Sequence, residues 1–197
     1  MPLPPVTRVE AQRLKLRPLA AADLPDLLEV NGDPEVTRFL PYETWQSLAD
    51  AEAWLVRMET MAASGTGQVL VLERRSDAKV IGDLLLFKYD EGSRRIELGY
   101  VLGRVHWGKG LMREAITAAC ACAFDELGIR RIEAEVNPEN LASCALLLKV
   151  GFALEGRLRK RWEAKGNAYD TNIYGWLAED RLAAGAGRQG SDHGRSE

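Results

Sequence analysis

The sequence predicts a mixed α/β domain of the α+β kind: a mostly antiparallel central sheet of about seven strands, flanked by helices. Three observations carry that prediction. Segments with period-2 and period-3.6 apolar patterning follow in the order strand, two helices, three strands, helix, strand, helix, two strands. The three consecutive strands read as an antiparallel meander. The strand–helix–strand passage from Arg95 to Val136 reads as one parallel crossover. Helices then cover the faces of the sheet.

The first strand is "RLKLRPL", Arg13–Leu19, which alternates polar and apolar residues. "AADLPDLLEVNGD" follows as a helix, with Asp23 as its cap and Gly32 as its stop. "SLADAEAWLVRMETMAAS" is an amphipathic helix whose Leu48, Ala51, Leu55, Met58 and Met61 (or Ala62) fall near helical spacing. "GQVLVLER" and "KVIGDLLLFKY" are strands joined at Ser76-Asp77, and "RRIELGYVLG", Arg94–Gly103, completes the meander. "GLMREAITAACACAFDELG" is a long apolar helix ending at Gly128. "RRIEAEV" is a strand, "NLASCALLLKVG" a short helix closing at Gly151, and "FALEGRLR" and "YDTNIYGWLA" the last two strands.

A length of 197 residues fits one domain with a real core, placed at residues 1–182. From Ala183 the chain turns to Gly, Ser, Arg and Gln, so residues 183–197 are expected to be a disordered tail. The net charge of −3 gives no argument for nucleic acid or membrane as a partner. No apolar run is long enough to span a bilayer, and Met1-Pro2-Leu3-Pro4-Pro5 lacks a signal-peptide pattern, so a cytoplasmic protein is expected. Cys120, Cys122 and Cys144 are an odd set with no disulfide framework. With His106 and His193 the only histidines, no metal-ligand spacing appears; no metal is expected, and the cysteines read as buried apolar-like side chains.

The stretch that carries chemistry is "VLGRVHWGKGLMREAI", Val101–Ile116. A strand ends in Gly108-Lys109-Gly110 and a helix starts at once. The first helical N–H groups lack intrahelical partners, the helix dipole adds partial positive charge, and glycine lets a ligand approach the backbone. This makes a backbone anion cradle over Trp107, Gly108, Lys109, Gly110, Leu111 and Met112, with Lys109 and Arg113 adding charge. By spacing alone a plain turn remains open. The loop is neither a Walker loop nor the dinucleotide fingerprint, because the glycine spacing differs from both.

"IELGYVLGRVHWGKGLMREAI" resembles the acetyl-CoA-binding motif of the GNAT superfamily of N-acetyltransferases. "EVNPENLASCALLLKVGF" resembles the superfamily's next motif, N-x-x-N-x-x-S-x-x-x-x-x-K-x-G-F. With the opening "RLKLRPLAAADLPDLLEVNGDPEVTRFLP" and the closing "GRLRKRW…G…YDTNIYGWL", the chain is most similar to the ribosomal-protein N-terminal (alanine/serine) acetyltransferase branch, RimJ/RimL-like. The superfamily loop is often written Q/R-x-x-G-x-G/A; here Val105 holds the first place and Arg104 stands one residue off.

The resemblance implies an acyl-CoA N-acyltransferase fold and acetyl-CoA as co-substrate. It implies a base at Glu97, where the strand pattern by itself favours a solvent-facing side chain. Ser143 is the candidate acid for the coenzyme sulfur, with a local hydrogen bond in the first helical turn as its other reading. The resemblance places Asn137 on the pantetheine arm or the acetyl group, although such an asparagine is also a turn residue. Tyr100, Val101 and Leu102 offer backbone groups to that arm if their strand splays from its neighbour, and Asn140 caps the following helix beside it. Lys149 reads as surface rather than phosphate-binding.

On the acceptor side, the aromatic loop "TRFLPYETW" offers Arg38, Phe39, Tyr42 and Trp45. Asp170 and Tyr174, with Glu163, are candidates for meeting a cationic amine. The expected acceptor is a protein or peptide N-terminal α-amine, possibly of a ribosomal protein. A small-molecule amine (polyamine, amino acid or antibiotic) and a non-catalytic acyl-CoA sensor are the alternatives. Monomer and homodimer both remain open.

Overall fold

The structure, a computed structural model, describes residues 1–181; the expected disorder of residues 183–197 lies outside them. Its framework is one open eight-stranded sheet. The strands are β1 (Val9–Glu10), β2 (Leu14–Pro18), β3 (Gln68–Arg74), β4 (Val80–Asp90), β5 (Arg95–Leu102), β6 (Arg131–Val136), β7 (Ala153–Ala164) and β8 (Asn167–Leu177). They lie in the order β1-β2-β3-β4-β5-β6-β8-β7. All neighbours pair antiparallel except β5 and β6, which are parallel. The meander and the single crossover are therefore as expected. The eighth strand is β1, two residues paired to Leu16 and Lys15, too short to show a period.

The helices include α1 (Leu24–Asn31), α2 (Pro34–Thr37), α3 (Leu48–Ala63), α4 (Leu111–Asp125) and α5 (Leu141–Val150). β3 shows how the two faces are built. Val69 and Val71 point to α1 and α3, where they meet Leu24, Leu27, Ala51 and Trp54. Leu70 and Leu72 point the other way, into the larger core with Leu111, Ile116 and Cys120 of α4. That is period-2 alternation with both faces covered, and each fully buried Leu or Ile contributes about 1.5–3 kcal/mol.

Three local expectations change. Asp23 does not cap α1 through its side chain; it accepts from Ala20 N and pairs both oxygens with Arg17 at 2.8 Å. On α3 the buried stripe centres on Ala51 and Trp54, and Leu48 is 42% exposed. The last two strands run longer than "FALEGRLR" and "YDTNIYGWLA": β7 continues to Ala164, β8 begins at Asn167, and the hairpin turns at Lys165 and Gly166, both with positive φ. Mostly exposed charged residues hide a strand period there, because neither face is buried. Cys120 and Cys122 are both buried, Cys144 is half-buried, and all three are free. Among the described residues no helix is long and apolar enough to cross a membrane.

Candidate active site

The site begins where the sheet comes apart. β5 and β6 pair only at Arg95–Arg131, Ile96–Ile132 and Glu97–Glu133. Beyond Glu97, β5 stays bonded to β4 as far as Leu102, while β6 stays bonded to β8 as far as Val136. The strands thus form a fork with Glu97 and Glu133 at its apex. The inner edge of β5 from Leu98 to Leu102, which carries Tyr100, Val101 and Leu102, faces the gap with backbone groups that no strand uses.

The glycine loop closes the open end of the fork. After a 3₁₀ turn at Arg104–His106, Gly108 and Gly110 take φ of 72° and 74°, which only glycine adopts freely. The first helical hydrogen bond of α4 is Glu114 N to Gly110 O. The N–H groups of Gly108 to Arg113 precede it and have no intrahelical acceptor. Leu111 and Met112 bury their side chains, so the turn is held by the core while its N–H groups face out. Arg13 fixes the loop from behind, donating to Lys109 O at 2.9 Å and to Glu114 at 2.7 Å. A Cβ built on Gly108 meets nothing within 4 Å, so the space before the loop is free. The Trp107 indole donates to Leu102 O at 2.7 Å, tying loop to strand. Arg104 pairs with Asp33 and Val105 is exposed, so the position one place off the superfamily pattern points away into an ion pair.

Glu97 and Tyr100 lie on opposite faces of β5, by the alternation of the strand. Glu97 is 5% exposed; burial raises its carboxyl above the ordinary value, opposed by the Lys88 ammonium, which donates to Oε2 at 2.7 Å. The acidic group continues along β6. Glu133 is held by Arg95 and Arg131, while Glu135 accepts from the Trp162 indole at 2.6 Å and sits 3.9 Å from Lys88 Nζ. On the other face the Tyr100 hydroxyl is buried without a hydrogen-bond partner among the described residues, with Ser143 and Cys144 among its polar neighbours, and burial pushes its pKa up to about 12. Asn140 caps α5, accepting from Ser143 N at 3.1 Å; Asn137 Oδ1 accepts from Glu139 N at 2.9 Å, which leaves its amide hydrogens available. Asn140 caps its helix and Asn137 serves its turn, while Ser143 takes part in the cap through its backbone N–H.

Arg38, Phe39 and Asn137 line one cleft of about 410 Å³, closed on its far side by Lys165 and Tyr169 of the β7–β8 hairpin. Lys165 Nζ donates to Thr37 O at 2.7 Å and straps that hairpin to α2. Tyr42 is half-buried and donates to Asn31. The other acceptor candidates are not brought to the cleft. Trp45 is 6% exposed and packs on Trp54, because aromatic area is worth more in the second core than in a loop. Tyr174 is 2% exposed in the main core, on the face opposite Glu97. Asp170 accepts from Lys160 N in the β7 bulge, where a displaced N–H needs a partner. Lys149 is exposed on α5. Sequence reasoning missed Lys88, Glu135 and Trp162; the signal was three alternating glutamates at positions 97, 133 and 135 on adjacent strands, which need a cation opposite them.

An acetyltransferase (GNAT) domain matches residues 13–153. The chain is 32% identical over 169 residues to the uncharacterised N-acetyltransferase p20 of Bacillus licheniformis, covering 86% of this chain and 95% of that one. It is 26% identical over 159 residues to the spermidine N(1)-acetyltransferase of Escherichia coli (strain K12), covering 79% and 81%. RimJ of Mycobacterium smegmatis, solved in complex with CoA-disulfide, superposes with a TM-score of 0.78 at 23% identity over 90% of this chain and 94% of that one, a likeness of fold.

Proposed function

The chain belongs to the GNAT family of acetyltransferases and is an N-acetyltransferase; we propose that it passes acetyl from acetyl-CoA directly to a protein or peptide N-terminal α-amine. The observation that carries this reading is the fork, with a carboxylate at its apex and a free backbone cradle at its mouth.

Acetyl-CoA, when bound, supplies an activated acetyl thioester. The N–H groups of Gly108 to Arg113 receive its pyrophosphate, and the free edge of β5 at Leu98–Leu102 bonds the amides of its arm. An N–H of that edge is also the donor available to the developing oxyanion. Glu97 takes the proton of the attacking amine, directly or through water; its burial makes it a stronger base than a surface carboxylate. Ser143 protonates the departing sulfur from the opposite face, and the Asn137 amide orients the acetyl group. The fork holds both reactants in line, so no covalent enzyme intermediate is needed.

The acceptor enters by the cleft lined with Arg38, Phe39 and Asn137. The carboxylates of Glu97 and Glu135 favour an amine that arrives charged. A polyamine fits the same charge, and the likeness to a spermidine acetyltransferase supports it as the second reading. Free-thiol release from acetyl-CoA, run against N-terminal peptides and small amines, separates the two. Turnover with peptides alone supports the first reading, turnover with polyamines alone the second.

A further inference from the structure

We propose that Lys88 is an internal acceptor: the enzyme acetylates its own Nζ. This rests on the acetyltransferase reading of the fork. Lys88 sits in an irregular stretch of β4, where the pairing with β5 shifts register between Phe87 and Asp90. Its φ is +52°, a conformation that a non-glycine residue holds only when its surroundings impose it. The consequence is that Lys88 does not alternate away from its neighbour. Its ammonium lies 5.2 Å from the Phe87 ring centroid and 5.6 Å from that of Trp162, bonds Glu97 at 2.7 Å and stands 3.9 Å from Glu135. Two aromatic faces and two carboxylates make a site for an ammonium ion, and a primary amine of the chain fills it.

Among the described residues Lys88 is the one hydrogen-bond partner of the Glu97 carboxylate. An amine bonded to the base at the apex of the fork stands where an external acceptor has to stand. The Lys88 side chain is also 43% exposed, so the core does not enclose it. In the step, Glu97 takes one proton from the ammonium and the Nζ lone pair attacks the thioester carbonyl. The C–N bond forms, the C–S bond breaks, and the second proton ends on the coenzyme sulfur. The products are an Nζ-acetamide, free thiol and one proton released to solvent. The acetamide no longer carries the charge that Glu97 and Glu135 hold.

The test incubates the full chain with acetyl-CoA and no added amine, then maps acetyl groups by peptide mass spectrometry over time. Exposed Lys149 on α5 serves as the internal standard for uncatalysed modification. Lys88 is expected to be acetylated at least about tenfold faster than Lys149, at a rate independent of protein concentration. Glu97→Gln is expected to slow Lys88 by about 10²-fold and leave Lys149 unchanged. Lys88→Arg removes the site while keeping the charge, and its maps should lose that peptide alone. If Lys88 stays unmodified while an added amine is turned over, the proposal falls and the acetyltransferase reading stands. Acetylation of Lys88 no faster than Lys149, or equally fast in Glu97→Gln, overturns it as mere chemical modification. Failure to bind acetyl-CoA by calorimetry, with no thiol release, overturns both.

Discussion

Two carboxylates in the middle of the sheet behave differently from their surface counterparts. Asp83 interrupts the apolar run "VIGDLLLF" of β4, and burial lifts its carboxyl to about 7. Between its ordinary value of 3.8 and that value the folded state keeps a proton the unfolded chain releases, so stability falls as pH rises across that window. Asp83→Asn is therefore expected to stabilise the protein by up to about 4 kcal/mol near pH 8, at 1.36 kcal/mol per unit, and hardly at all near pH 4. Urea melts at the two pH values read the difference; an equal effect at both would show that burial is not the cause. For Glu97 the sign concerns activity. In the proposed mechanism the base works when ionised and its carboxyl is raised, so kcat/KM should rise with pH through an inflection above the ordinary glutamate value. Glu97→Gln should lower kcat by about 10²-fold or more, erase that inflection and leave coenzyme affinity within a factor of about two.

At the scale of elements, the α4 N-terminus is the piece with most to lose. Gly108 has φ of 72° and open space before it, so a side chain there is opposed by backbone strain and by the ligand, and by no neighbour within the fold. Gly108→Val should cost about 1–3 kcal/mol of stability and weaken acetyl-CoA binding at least about tenfold. Calorimetry beside a thermal melt separates the two effects. Binding that weakens no more than the melt explains would place the cradle elsewhere. The β7–β8 hairpin is the contrasting element. Its exposed faces carry no period, and Lys165 straps it to α2 beside the cleft lined by Arg38, Phe39 and Asn137.

For the molecule as a whole, the fork leaves two halves of the sheet joined by three residue pairs between β5 and β6. A coenzyme that bonds the free edge of β5 and the cradle of α4 completes that seam and binds only the folded chain. Acetyl-CoA at about 100 times its Kd should add about 2.7 kcal/mol, which for a chain of this size raises Tm by roughly 5–11 °C. No shift at that concentration would mean that the fork does not bind it.

What a sequence shows of its fold depends on which interactions are local. Alternation in "RLKLRPL", the apolar run of "QVLVLER", the amphipathic pattern after Ser47 and the glycines before Leu111 depend on neighbours a few residues away, and they determined strands, helices and the turn into α4. The run "IELGY" likewise reads as the strand that carries Glu97. Contacts between distant segments were decided only in the tertiary structure. Trp45 and Tyr174 look like site residues in sequence, yet the core takes them, because burying an aromatic ring stabilises the fold wherever the packing admits it. Lys88 looks like a surface lysine, yet a bulge in β4 turns it onto Glu97 and Glu135, which come from two other strands. Period and turn chemistry are properties of the chain; which charges share one face of a sheet is settled by strand order and register, and no local pattern records either.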